Sequence, residues 1–157
     1  KPTATNTPKP TATTAPTPTS GGNKVPANAS EADLLTALVY TESGDDYDEM
    51  VGVACVVINR MNKTGDSMYD VLYAKGQFAV AANGSLASAY EKWVNKSYAS
   101  GTAWRWERAN KAAKQVLANG SGDFDYLFFR MYSPYYENYY EKSVVIGTTI
   151  FHNGKKK

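Results

Sequence analysis

The residues Asp46-Tyr47-Asp48-Glu49-Met50-Val51-Gly52-Val53-Ala54-Cys55-Val56-Val57-Ile58-Asn59-Arg60-Met61 can form a buried strand or a buried helix, and the class of the whole domain turns on which. The valines and the isoleucine suit a strand. The run from Met50 to Met61 is long for one, however, and it opens on Asp46-x-x-Glu49, the spacing of a helix N-terminus. We read it as a helix. It is apolar nearly all round, so it is expected to be covered on every side.

Upstream, Ser30 precedes Glu31-Ala32-Asp33, a pattern close to a capping box. Leu34, Leu35, Leu38 and Val39 then recur at helical spacing, and Ser43-Gly44 ends the helix. Downstream, 67–73 reads as a short helix and Lys75-Gly76-Gln77-Phe78 as a turn. Leu86 to Tyr98 and Ala103 to Asn119 read as two further helices, the second stopped by Asn119-Gly120. Phe124 to Tyr140 then holds nine aromatic residues in 17, and Ser143 to Phe151 reads as a strand or hairpin. The class is mainly α (α+β), a helical domain with a small β-hairpin or sheet element.

The ends differ in composition from the middle. Six of the seven prolines lie in the first 30 residues, which contain no acid and no aromatic residue. Residues 1–27 are expected to be a disordered, extended Thr/Pro spacer, 28–154 the folded domain and 155–157 a basic tail. The chain has 17 Lys and Arg against 15 Asp and Glu. Without Lys1, Lys9, Lys24 and the three terminal lysines the balance is 11 against 15, which disfavours a nucleic-acid partner. One Cys and one His exclude an internal disulfide and a Cys/His zinc site. The longest apolar run, Val53 to Ile58, is far short of a membrane span of ~20 residues. No metal or organic cofactor is expected.

Glu42 is the most informative single residue. It lies four after Leu38 and seven after Leu35, on the apolar side of its helix. A carboxyl group placed there loses hydration and its pKa rises, as a general acid near neutral pH requires. The plain alternative is a helix-terminal Glu turned to water. Asp45, Asp46, Asp48 and Glu49 are accounted for as charge at a helix N-terminus, with a second catalytic carboxylate among them as the other reading. Cys55 reads as a core thiol and His152 as a solvated terminal residue. Asn59 reads as a core-facing polar anchor. Gln77-Phe78 can present an amide beside a ring, which suits a sugar, or form an ordinary turn with Phe78 in the core. The aromatic tract fits sugar stacking and a tyrosine-rich core edge equally well.

Several segments resemble the SleB-type cell-wall hydrolases, which are spore-cortex-lytic enzymes and their relatives. They are Leu34-Leu35, Leu38-Val39-Tyr40-Thr41-Glu42, Tyr47 to Arg60, Val71-Leu72-Tyr73, Gly76-Gln77-Phe78, Ala112 to Gly120, Tyr126-Leu127-Phe128-Phe129 and Ile146-Gly147-x-x-Ile150-Phe151. They fall in the family's order over nearly the whole folded part. The turn after Glu42 is one residue shorter than the family's, Thr149 stands where a His is frequent, and 132–142 is unusually rich in tyrosine. The resemblance implies a lysozyme-like, mainly α fold. It also implies cleavage between N-acetylmuramic acid and N-acetylglucosamine, with Glu42 as the catalytic acid and no cofactor. Gln77, Phe78, Tyr126 and Asn59 are the expected substrate-binding residues. A lytic transglycosylase is the first expectation; a hydrolytic muramidase and a non-catalytic peptidoglycan-binding module are the alternatives. The expected setting is extracellular, in the wall or spore cortex, with the domain tethered by the spacer. The expected partner is the peptidoglycan glycan strand, bound by a monomer without membrane insertion.

Overall fold

A computed structural model describes residues 23–157. The expected Thr/Pro spacer falls mostly on residues 1–22, outside the described residues. The long stretch around Cys55 is helical. Six helices come first: α1 (Glu31–Glu42), α2 (Tyr47–Thr64), α3 (Met68–Tyr73), α4 (Ala79–Ala82), α5 (Ser85–Val94) and α6 (Ala103–Asn119). A three-stranded sheet follows, β1 (Phe128–Met131), β2 (Ser143–Ile146) and β3 (Thr149–His152). Its order is β1-β3-β2 with every pair antiparallel. The domain is therefore mainly α with a small sheet, as expected.

The helix starts follow the capping pattern. Ser30 Oγ accepts from Asp33 N–H at 3.1 Å, and Asp46 Oδ1 accepts from Glu49 N–H at 2.9 Å. Val53 to Val57 of α2 are all buried, between α1 and α6 on one side and the sheet on the other. Gly52 permits the close approach of the sheet. A Cβ there would come within 2.7 Å of Phe151 Cζ, so its absence lets the ring lie against the helix.

Two expectations need correction. The helix expected over 86–98 ends at Val94, because Lys96 turns left-handed (φ 52°). Lys96 N–H bonds Trp93 O and Ser97 N–H bonds Lys92 O, the bond pair of a Schellman stop. Tyr98 then folds back onto Trp93 and Trp106 instead of continuing a helix. The aromatic tract also contains a strand, β1, that reading by pattern missed.

The sheet has two unlike faces. Phe129, Phe151, Val144 and Ile146 face the helices. On the outer face, Ile150 and Tyr140 are buried outside the main core, under the chain that loops over the sheet between β1 and β2.

Candidate active site

Glu42 is the last residue of α1 and is half-buried. Burial pushes its carboxyl pKa up, and the positive charge of Arg60 opposes part of that rise. No ion pair joins the two among the described residues. Arg60 is itself partly withdrawn from water, which lowers its pKa. Its guanidinium lies between the rings of Phe78 (4.7 Å) and Phe128 (5.2 Å), and Nε donates to Leu127 O at 2.7 Å. One terminal nitrogen, Nη1, is buried with no hydrogen-bond partner. The arrangement is a fixed, incompletely satisfied cation acting on a desolvated carboxyl group.

The turn after Glu42 is anchored at each of its four residues. Arg105 Nη2 donates to Ser43 O at 2.5 Å, and Arg105 Nε pairs with Asp45 Oδ1 at 2.7 Å. Arg108 donates to Asp45 O at 2.8 Å. Gly44 N–H donates to Glu49 Oε1 at 2.9 Å, and Asp46 caps α2. Arg105 also lies 4.1 Å from the Tyr40 ring, whose other face stacks on Trp106 at 3.5 Å. The short turn is therefore held from α6 and α2 together, and Glu42 stays on its helix.

These anchors engage three of the four neighbouring acids; Asp48 is exposed and has no hydrogen bond or ion pair among the described residues. Asp45 is paired with Arg105 and Asp46 is a cap. Glu49 is 1% exposed and accepts from Gly44 N–H, Thr148 N–H (3.0 Å) and Thr149 Oγ1 (2.8 Å). Its reading as helix N-terminal charge missed this role, because two of its partners, Thr148 and Thr149, lie about a hundred residues away.

The expected sugar-binding residues separate. Gln77 is exposed and lines a groove of about 250 Å³ with Arg60, Lys63, Thr64, Asp66 and Phe128. Phe78 is 4% exposed and supports Arg60 from the core, so it offers no face to a sugar. Asn59 is not available either. Its Nδ2 donates to Phe124 O (2.7 Å) and Tyr126 O (2.9 Å), and its Oδ1 accepts from Ser121 Oγ. It ties the 121–126 segment to α2, the anchor role that was the other reading of this residue. Tyr126 is half-buried, edge-on to Phe124 at 4.9 Å and outside the lining of the groove.

His152 is not a solvated terminal residue. It is 8% exposed and stacked between Tyr140 (3.7 Å) and Phe128 (5.5 Å), and its Nδ1 accepts from Gly154 N–H. Burial, then the charges of Arg130 and Arg60, bring its pKa down to about 4. Cys55 is a buried thiol whose pKa burial pushes up to about 11, and it makes no hydrogen bond with His152.

The domain thus presents one half-buried carboxyl group at the end of α1, coupled electrostatically to Arg60, which lines a mainly apolar groove that Glu42 itself does not line. The sequence comparison gives the family. A model of the cell wall hydrolase domain matches residues 44–152, more than half of the chain, and the chain belongs to the cell wall hydrolase family. Membership places it among enzymes that degrade peptidoglycan. The match begins two residues past Glu42. No curated protein and no solved structure matches the chain. No helix of the described residues is long and apolar enough to cross a membrane.

Proposed function

We propose that the domain cleaves peptidoglycan glycan strands between N-acetylmuramic acid and N-acetylglucosamine as a lytic transglycosylase, with Glu42 as acid and then base. Protonated Glu42 gives its proton to the glycosidic oxygen. The bond to C1 of the muramic residue breaks through an oxocarbenium-like state, and the N-acetylglucosamine leaves with a free 4-hydroxyl group. The Glu42 carboxylate then takes the proton of the muramic C6 hydroxyl. The C6 oxygen closes on C1 as a 1,6-anhydro ring, and Glu42 is protonated again. No water is consumed.

The observation that carries this reading is the state of the acids around Glu42. A hydrolytic muramidase ordinarily needs a second carboxylate to activate water. Asp45 is ion-paired, Asp46 caps α2, Glu49 is buried with its oxygens occupied, and Asp48 is exposed on a different groove from Arg60 and Gln77, beside Val51, Gly52 and Gln115. A single-carboxylate mechanism needs none of them. Gln77, with Arg60 and Phe128 in the adjoining groove, is our choice for a sugar contact.

The test is mass spectrometry of the soluble products from purified peptidoglycan, with wild type and Glu42→Gln side by side. Anhydro-muramic ends that disappear in the variant are the expected result, with a loss of about 10³-fold or more in rate. Reducing muramic ends, heavier by one water, would convert the assignment to a muramidase. Retention of about a tenth of the rate in Glu42→Gln would remove Glu42 from the chemistry.

A further inference from the structure

The tyrosine-rich segment over the outer face of the sheet is built in two levels. The lower level is a small core. Tyr140 stacks flat on His152 at 3.7 Å, His152 on Phe128 at 5.5 Å, and Tyr136 on Tyr140 at 6.2 Å. The C-terminal residues hold it in place, since Lys157 N–H donates to Tyr139 O and Glu141 N–H donates to Lys155 O. The upper level faces water. Tyr135 is 70% exposed and stands edge-on to Tyr136 at 5.0 Å and tilted against Tyr139 at 5.6 Å. Arg130 lies 3.8 Å from the centre of the Tyr136 ring, and Lys156 lies 5.0 Å from that of Tyr139. Burying Tyr140 explains the lower level. Fold stability gives no reason for an exposed Tyr135 beside ring-mounted cations.

Charge separates this module from the rest. Residues 128–157 hold five Lys and Arg against two Asp and Glu, while residues 23–127 hold ten against thirteen. Two of these cations, Arg130 and Lys156, lie on the ridge itself, while Lys142 is paired with Asp125. A second copy meeting this face would bring Arg130 and Lys156 against their own counterparts. An anionic partner suits it. Exposed tyrosine rings interleaved with cations match a polymer that alternates apolar pyranose faces with carboxylates.

We propose that the ridge of Tyr135, Tyr139, Arg130 and Lys156 is a second binding surface for the peptidoglycan glycan strand, separate from the Glu42 site. Tyr135 and Tyr139 take the CH faces of the sugars. Arg130 and Lys156 take the free carboxylates of the stem peptides. The inference rests on the peptidoglycan reading for its ligand, and not on Glu42 chemistry. The tyrosines that the lower level buries are its support, and the outward ones are its contacts.

The experiment is cosedimentation with insoluble peptidoglycan stripped of teichoic acid, using Glu42→Gln protein so that the ligand survives. Adding Tyr135→Ala with Tyr139→Ala, or Arg130→Gln with Lys156→Gln, is expected to weaken the apparent Kd about tenfold. Tyr135→Phe with Tyr139→Phe should restore binding, since the ring faces remain. Salt should weaken binding of the parent and have little effect on the Arg130/Lys156 pair of variants. Chitin, which lacks stem-peptide carboxylates, should bind less than peptidoglycan. Unchanged sedimentation of both double variants would overturn the proposal. So would an effect seen only on walls that keep their teichoic phosphates, or one that tracks loss of a dimer. If Glu42 protein binds through the ridge but releases no glycan product, the transglycosylase reading fails while this one stands. If it releases product with the ridge variants sedimenting like the parent, the reverse holds.

Discussion

Thr149 Oγ1 donates a 2.8 Å hydrogen bond to Glu49 Oε1 across a hundred residues of chain, and this contact joins the start of α2 to the start of β3. The same carboxylate accepts the amides of Gly44 and Thr148, so one buried group fixes the turn after Glu42 and the hairpin turn between β2 and β3. Gly147 completes the fit. It adopts φ 59°, and a Cβ there would run into the Glu49 carboxylate.

Glu49→Ala should therefore be among the most destabilising single substitutions in the domain. It leaves two amides and a threonine hydroxyl without their acceptor inside the protein, a loss of about 3–5 kcal/mol. Urea denaturation measures it directly. Gly147→Ala should cost about 1–3 kcal/mol through the left-handed backbone and the displaced carboxylate. A shift of less than about 1 kcal/mol in Glu49→Ala would mean that the three donors find water instead.

Local signals made much of the fold legible. Ser30 and Asp46 announce α1 and α2 because a cap needs only residues three apart, and the length of 50–61 outweighed its β-branched content. Asn119-Gly120 marks the end of α6 for the same reason. What stayed hidden depends on distant partners. β1 carries no alternating pattern that stands out in a tract of nine aromatics, and pairing with β3 makes it a strand. The burial of His152 follows from Tyr140 and Phe128 closing over it, not from its place near the end of the chain. The distant partners of Asn59 and Glu49 lie 62 to 100 residues away. Glu42 stood out early because a carboxyl group on an apolar helix face conflicts with its own stripe, and that conflict is local.

The pH profile of activity should report the environment of Glu42. The proposed acid must be protonated at the start of the cycle, so the rate falls on the alkaline side through the Glu42 pKa. Burial raises that pKa above the usual 4.5, and Arg60 restrains the rise. Arg60→Gln removes the restraint, so the alkaline limb should move to higher pH, while Arg60→Lys should leave it closer to wild type. An alkaline limb that stays in place in Arg60→Gln would exclude electrostatic coupling between the two groups. Glu42→Gln should also raise Tm at neutral pH, since a desolvated charge is replaced by a neutral amide.

Acid stability should depend on His152. Its folded-state pKa of about 4 lies below the ordinary 6.5, so the unfolded chain takes up the proton first as pH falls. The stabilisation is complete above about pH 6.5 and is lost progressively toward pH 4. The loss is on the order of 2–3 kcal/mol. His152→Phe keeps a ring between Tyr140 and Phe128 and has nothing to protonate, so its unfolding free energy should fall less steeply over that interval. Parallel slopes for the two proteins in urea titrations at pH 7, 5 and 4 would count against a neutral, buried imidazole.

Arg105 should act on the rate through position alone. Its planar fork reaches Ser43 O and Asp45 Oδ1 at once while its face lies on Tyr40, and a lysine ammonium cannot make all three contacts. Ser43 follows Glu42 directly, so a loosened turn lets the end of α1 fray and the carboxyl group wander. A misplacement near 1 Å is worth up to ~10²-fold in rate, so Arg105→Lys should lower kcat about ten- to a hundredfold with little change in KM. Arg108→Gln, which loses only the bond to Asp45 O, should have a smaller effect. The alkaline limb of the pH profile separates positioning from general damage. A wandering Glu42 becomes better hydrated and its limb should shift toward the usual carboxylate range, whereas simple loss of folded protein would scale the whole profile without moving it.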